Sequence, residues 1–198
     1  MRSLLCASLV LILSSSVALA EKYTLDAAHT SVNFTVPHLV VSKVKGRFDK
    51  FDGTFDFDEK TQKLENVAVE IQADSVNTNE KDRDKHLRSK DFFDVEKFKT
   101  LTFKSKKTDY EGNKPSKLEG DLTIHGVTKP VVFELDYNGA VTDPWGNRRV
   151  SFEAKTKINR KDFGLTWNKA LEAGGFVVGD DVKIEIEGEA MVAAAKKK

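Results

Sequence analysis

The stretch Arg83–Phe93, "RDKHLRSKDFF", places His86 between Asp84 and Asp91 and brackets it with Arg83 and Arg88. Three chemistries could use such a set. A histidine beside a carboxylate can move protons, two guanidiniums can grip a phosphate, and histidine with carboxylates can hold a metal. The metal reading fails on spacing. His29 precedes a strand pattern, His38 follows one, His86 sits in the charged stretch, and His125 sits in a turn beside Gly126. None stands four residues from another on a helix. The "KDFG" run at Lys161–Gly164 matches a kinase metal-loop tripeptide, but no glycine-rich phosphate loop or catalytic loop accompanies it. G-x-S-x-G, P-loop and H-E-x-x-H patterns are absent from the sequence. No catalytic residue, metal or cofactor is therefore expected, and the charged stretch needs a different explanation.

The elements around it begin with a leader. A basic start at Arg2, the apolar run "LLCASLVLIL" and "SSSVALA" ending Ala18-Leu19-Ala20 form a secretory signal pattern with Glu21 as the expected mature start. Export to the periplasm follows as an expectation, with no integral membrane segment left after cleavage. The single cysteine, Cys6, lies inside the leader, so the mature chain has no thiol for a disulfide or a metal. The formal net charge of +1 includes Arg2 of the leader, so the remainder balances. That balance argues against a nucleic-acid partner, which calls for a basic face. Residues 21–198 are expected to form one domain, with "AAAKKK" as a frayed tail.

Eight segments alternate apolar and polar side chains with period two, the signature of strands with one dry face. Their apolar faces are Val32/Phe34/Val36, Gly53/Phe55/Phe57, Val67/Val69/Ile71/Ala73, Leu101/Phe103/Ser105, and Leu118/Gly120/Leu122/Ile124. Val131/Phe133/Leu135/Tyr137, Val150/Phe152/Ala154/Thr156/Ile158 and Val182/Ile184/Ile186/Gly188/Ala190/Val192 complete the set. Turn-forming runs such as "EGNKPS" and "HGVTKP" join them. No stretch has the length and stripe of a core helix, so the class is all-β and antiparallel, a sandwich or a barrel. The small inward residues, among them Gly53, Gly120 and Gly188, admit two readings. Either they leave an apolar cavity, or they make room for bulky neighbours such as Phe34 or Phe152. Strands of about ten residues run roughly 33 Å, and a cavity along that axis suits a long chain.

The charged stretch then reads as a short helical lid. Thr78 or Asn79 offers an N-cap, Glu80 and Asp82 fall in the first turn, and Lys85, Arg88 and Lys90 near the end. Asp84 stands four residues before Arg88, at ion-pair spacing. Leu87, Phe92, Phe93 and Phe98 would enter the barrel end while the charges stay wet. The cavity wall is expected to comprise Phe34, Phe55, Ile71, Leu87, Phe92, Phe103, Leu122, Phe133, Phe152, Trp167 and Ile184. Headgroup contacts by Arg83, His86 and Arg88 stand beside the purely structural reading of the lid. Trp167 and Leu171 flank a glycine-rich loop that could form another rim.

These segments together resemble the YceI-like family of secreted bacterial proteins. The resemblance is carried by "YTLDAAHTSVNFTVPHLVVSKVKGRFDKFDGTF", "RDKHLRSKDFFDVEKFKTLTFKS", "LEGDLTIHGVTKPVVFEL", "INRKDFGLTWN" and "VGDDVKIEIEGEA", in order over nearly the whole mature chain. Thr30 before Ser31 is a mild departure from the family's opening pattern. The resemblance implies an extended eight-stranded, lipocalin-like antiparallel barrel with a long apolar cavity. It also implies a periplasmic polyisoprenoid or quinone-like lipid as partner, held for carriage or storage. An enzyme acting on such a lipid through His86 and a carboxylate, and a filled structural barrel binding a protein, remain the alternatives. A homodimer is left open.

Overall fold

The computed structural model describes residues 20–39, 41–170 and 175–192. The expected leader, Leu171 and the closing "AAAKKK" lie outside these, apart from Ala20 of the leader. Eleven strands and one α-helix follow in chain order: β1 (Glu21–Leu25), β2 (Ser31–His38), β3 (Ser42–Phe48), β4 (Phe51–Asp58), β5 (Lys63–Gln72), β6 (Val76–Asn77), α1 (Lys81–Arg88), β7 (Thr100–Glu111), β8 (Lys114–Ile124), β9 (Val127–Thr142), β10 (Arg148–Asn159) and β11 (Asp181–Val192). Every pairing is antiparallel, and a ring closes as β1-β4-β5-β7-β8-β9-β10-β11 and back to β1.

That ring is the expected eight-stranded barrel. The strand count rises to eleven because three long strands are broken once each. β2 continues β1 beyond the Asp26–Thr30 turn, β3 runs into β4 across Asp49–Lys50, and β6 follows β5 after a 3-10 turn at Ala73–Ser75. One edge of β11 serves both halves of the first strand, pairing Ala190–Val192 with β1 and Lys183–Glu187 with β2. Beyond the breaks the sheet continues β11-β2-β3-β6 and stops. At that end α1 and the segment behind it take the place of a strand, and Phe93 meets Phe48 of β3 edge-on at 5.7 Å.

The opposite end is filled by aromatic rings. Tyr23 stacks on Phe55 at 5.5 Å, and Phe152 meets Phe55, Phe57 and Tyr137 at 5.0–5.6 Å. Tyr23 is wholly buried, and its hydroxyl donates to Glu59 Oε1 at 2.7 Å. Glu59 also receives the Arg148 guanidinium through Nε at 2.7 Å and through Nη2. Arg148 therefore holds the Glu59 carboxyl below its ordinary value, while burial and the Glu59 bond push the Tyr23 phenol up.

The second reading of the small residues holds at Gly120 and Gly46 but not at Gly188, where a side chain would meet nothing nearer than Thr30 at 3.6 Å. A side chain at Gly120 would collide with the Phe103 ring and the Lys104 carbonyl, and one at Gly46 with the Phe34 ring. These glycines accommodate bulky neighbours and do not create the open space. Ser105, placed inward by the alternation, instead accepts the Val67 N–H at 2.9 Å. It stands in for a ladder bond where β7 bulges near Ser105–Lys107 and β5 and β7 part.

Candidate functional site

An apolar cavity of about 260 Å³ lies at the α1 end of the barrel. Its wall is built at one level by several strands. β2 and β3 contribute Val32, Phe34, Val36, Val44 and Phe48; β7 and β8 contribute Leu101 and Ile124; β10 and β11 contribute Ile158, Val182 and Ile184. Strand register explains this grouping, since Phe34 pairs with Ile184, Val36 with Val44, and Ile158 with Val182. Leu87 of α1, then Phe92 and Phe93, close one side, and Leu165, Trp167, Val177 and Val178 close another. The polar residues of the wall are Asn33, His38, Arg83, His86 and Arg160.

The expected wall residues therefore divide. Phe34, Leu87, Phe92, Trp167 and Ile184 line the cavity, together with Arg83 and His86. Phe55, Ile71, Phe103, Leu122, Phe133 and Phe152 face inward but pack in the core away from it. Phe103, for instance, is spent on an edge contact with Phe133 at 5.2 Å. Alternation marks which face of a strand is dry. It leaves open how far along the barrel each dry residue sits, which depends on register. Val36 and Ile158 were missed for that reason, whereas Val44 on β3 and Arg160 in the turn after β10 lie outside the segments the alternation had marked. Counting back from the hairpin that joins β2 to β3 would have placed Val36 beside Val44.

The lid itself differs from its expected chemistry in three ways. Glu80, in extended conformation at φ −146°, is the N-cap of α1, and its carboxylate accepts the Asp82 and Arg83 N–H groups at 3.0 and 2.6 Å. Thr78 is released from that role because Asp84 turns inward, 8 % exposed, and accepts both the Thr78 N–H and its hydroxyl at 2.8 and 2.6 Å. Asp84 is thus not paired with Arg88. The Arg88 guanidinium lies outside the cavity wall and donates to the carbonyls of Asp74 and Val76, both at 2.7 Å. Arg88 pins the helix to the break between β5 and β6. Arg83 is partly committed as well, donating to the Thr78 hydroxyl and carbonyl at 2.8 and 2.9 Å.

His86 faces the cavity as an aromatic ring more than as a base. Its Nε2 bonds Asp91 Oδ2 at 2.9 Å, while its ring meets Trp167 and Phe92 edge-on at 4.8 and 5.1 Å. On the other side, Arg160 is 3 % exposed yet charged, at the start of a 3-10 turn. It donates to the carbonyls of Gly179 and Trp167 at 2.9 Å each and to that of Leu165, and pairs with Asp180 at 3.3 Å. Burial lowers the guanidinium from its ordinary value, partly offset by Asp180. Arg160 knots together the segment that carries Leu165, Trp167 and Val178. The "KDFG" run is the body of that 3-10 turn, ended by Gly164 at φ 78°.

Away from the cavity, Asp26, His29 and Glu189 bring three metal-type ligand atoms together. Arg149 already supplies the positive charge, with Nη1 at 2.7 Å from Asp26 and 3.2 Å from Glu189, and Nε at 2.9 Å from Asp143. The Arg149 bond, and after it the bond to His29, lower the Asp26 pKa to about 2.

A deep apolar cavity closed by a short helix on an eight-stranded barrel agrees with the resemblance, and comparison with known proteins decides it. The YceI-like domain model matches residues 23–190. The chain belongs to the YceI-like family. Protein YceI of Salmonella newport is 46 % identical over 160 residues, covering 81 % of this chain and 83 % of that one. The crystal structure of a Campylobacter jejuni YceI protein superposes with a TM-score of 0.69 at 33 % identity, over 82 % of this chain and 90 % of that one. A polyisoprenoid binding domain from Saccharophagus degradans, implicated in plant cell wall breakdown, superposes with a TM-score of 0.64 at 17 % identity, over 88 % and 99 % of the two chains. That last likeness establishes a shared fold.

Proposed function

We propose that this YceI-like chain holds one isoprenoid amphiphile, of the quinone or prenyl phosphate class, for carriage or storage in the periplasm. The observation that carries this reading is the cavity itself. Its wall is apolar on every contributing strand except β2, which adds Asn33 and His38, and the other polar groups are Arg83 and His86 of the lid and Arg160. Burial of apolar chain there contributes about 0.8 kcal/mol per methylene before ordering costs. The Saccharophagus domain, described as polyisoprenoid binding, supports the ligand class.

The cavity's position shapes the mode of binding. The aromatic cluster around Tyr23, Phe57 and Phe152 fills the opposite end, so the ligand enters from the α1 end and is not threaded through the whole barrel. Either the apolar tail folds within about 260 Å³ or part of it stays at the mouth. Arg83 and His86 are the groups placed to meet a polar head, and Arg88 is left to its structural bonds. The enzymatic alternative would use His86 with Asp91, whose Oδ2 lies 2.9 Å from Nε2, and an unchanged lipid recovered after long incubation counts against it. The test is native mass spectrometry of protein purified from its own cells. One bound lipid of defined mass per chain supports the reading; a barrel that stays empty when offered quinones and prenyl phosphates refutes it.

A further inference from the structure

The cavity ends at two segments that are bonded to each other. The Leu39 N–H donates to the Val177 carbonyl at 2.9 Å, and the Gly179 N–H to the Pro37 carbonyl at 2.8 Å. Pro37, His38, Val177 and Val178 still line the cavity. One or a few residues further on, the apolar side chains turn into solvent. Val41 is 87 % exposed, Phe176 54 % and Leu39 38 %. Leu39 also takes φ 52°, a region that side-chain-bearing residues seldom adopt. The backbone is thus bent unfavourably at a position that leaves an apolar group wet. Trp145, another strongly exposed large apolar residue, sits on the β9–β10 hairpin at the far end of the barrel.

The charge on the β2–β3 tip has one sign, while the segment that carries Phe176 holds both. Between Leu39 and Phe48 the chain carries Lys43, Lys45 and Arg47 and no acid. All three are exposed on the outward register of β3, alternating with Val44 and Gly46. Arg47 is paired with Asp49 at 2.6 Å, whereas no carboxylate among the described residues makes an ion pair with Lys43 or Lys45. Lys161 and Asp180 neutralise each other at 2.8 Å beside Phe176. Separate apolar points on two loops, backed by free lysines and set at the rim of a greasy cavity, fit a surface that is itself greasy beneath a layer of negative charge.

We propose that the cavity mouth docks on an anionic lipid bilayer. Leu39, Val41 and Phe176 seat among the headgroups, and Lys43 and Lys45 meet acidic lipid. This rests on the reading that the cavity takes an amphiphile, for which the bilayer is source and destination. A ligand insoluble in water then passes between membrane and cavity with little exposure.

Flotation of the mature protein with vesicles tests the surface independently of the ligand. Vesicles of phosphatidylcholine mixed with phosphatidylglycerol should carry the protein up, vesicles of phosphatidylcholine alone should not, and added salt should weaken the binding. The Lys43→Gln/Lys45→Gln variant should lower partitioning by about twenty-five-fold, at roughly fivefold per lysine. A Leu39→Ser/Val41→Ser/Phe176→Ser variant should lose it, with circular dichroism and thermal midpoint unchanged. Equal binding to both vesicle types, binding indifferent to both variants, or no binding to the mixed vesicles overturns the proposal. Lipid content is measured on the same samples. Protein that floats with mixed vesicles yet never carries lipid refutes the ligand reading and upholds the docking surface; protein that carries lipid yet ignores the vesicles does the reverse.

Discussion

Three arginines that look alike in the sequence do different work. Arg83 lines the cavity, Arg88 ties the helix to carbonyls, and Arg160 is a buried knot. The Arg88→Gln variant should lower the thermal midpoint while leaving lipid retention close to wild type in the folded protein. Arg83→Gln should show the opposite balance, most clearly for a prenyl phosphate, whose charge a guanidinium suits. Arg160→Met orphans the carbonyls of Gly179, Leu165 and Trp167, and should cost on the order of 3 kcal/mol in urea unfolding. Arg149 carries the pH dependence. Its bonds to Asp26 hold that carboxyl at about 2 against an ordinary 3.8, and Asp143, bonded by Asn147 and Arg149, is lowered in the same direction. A depressed carboxylate stabilises the fold above its unfolded value and loses that contribution as it protonates. The urea midpoint should therefore be flat above about pH 4 on this account and fall as pH drops toward about 2, the fall being smaller in Arg149→Met.

At the scale of elements, the barrel was readable and the cavity only partly so. Each strand's dry face follows from alternation, because a strand with one wet side has no other way to arrange its apolar residues. The Phe98 ring against His125, at 4.4 Å, and the positive φ of His125 and Gly126 show the β8–β9 turn doing what its residues require. The breaks at Asp26–Thr30, Asp49–Lys50 and Ala73–Ser75 were not legible, since they depend on which neighbour each half-strand pairs with. The helix was readable as a lid from Leu87, Phe92 and Phe93, but its cap was not. Thr78 loses that role to Glu80 only because Asp84 folds inward, a tertiary choice. Removing that choice has a defined effect. Asp84→Ala leaves the buried Thr78 N–H without its partner and should cost about 1–3 kcal/mol. Hydrogen exchange should speed up over Thr78–Ser89 well before the barrel strands respond.

Seen whole, the molecule is a barrel with one end packed and an apolar cavity at the other. Aromatic rings and the Glu59–Arg148 pair close the first end, and a helix on arginine tethers closes the second. The two ends should respond separately to substitution. Phe57→Ala, at a side chain 1 % exposed, should cost about 3–5 kcal/mol without emptying the cavity at temperatures where the protein stays folded. Ile184→Phe, which sets a larger ring into the cavity wall beside Phe34, should leave the unfolding midpoint nearly unchanged and abolish lipid retention by obstructing the cavity. The direct measurement is native mass spectrometry of the wild-type, Phe57→Ala and Ile184→Phe proteins purified side by side from their own cells. A single isoprenoid mass adduct on the wild type, absent from Ile184→Phe and present on Phe57→Ala, is the expected result. An adduct that survives in Ile184→Phe, or a wild type that remains bare after incubation with quinones and prenyl phosphates, would contradict it.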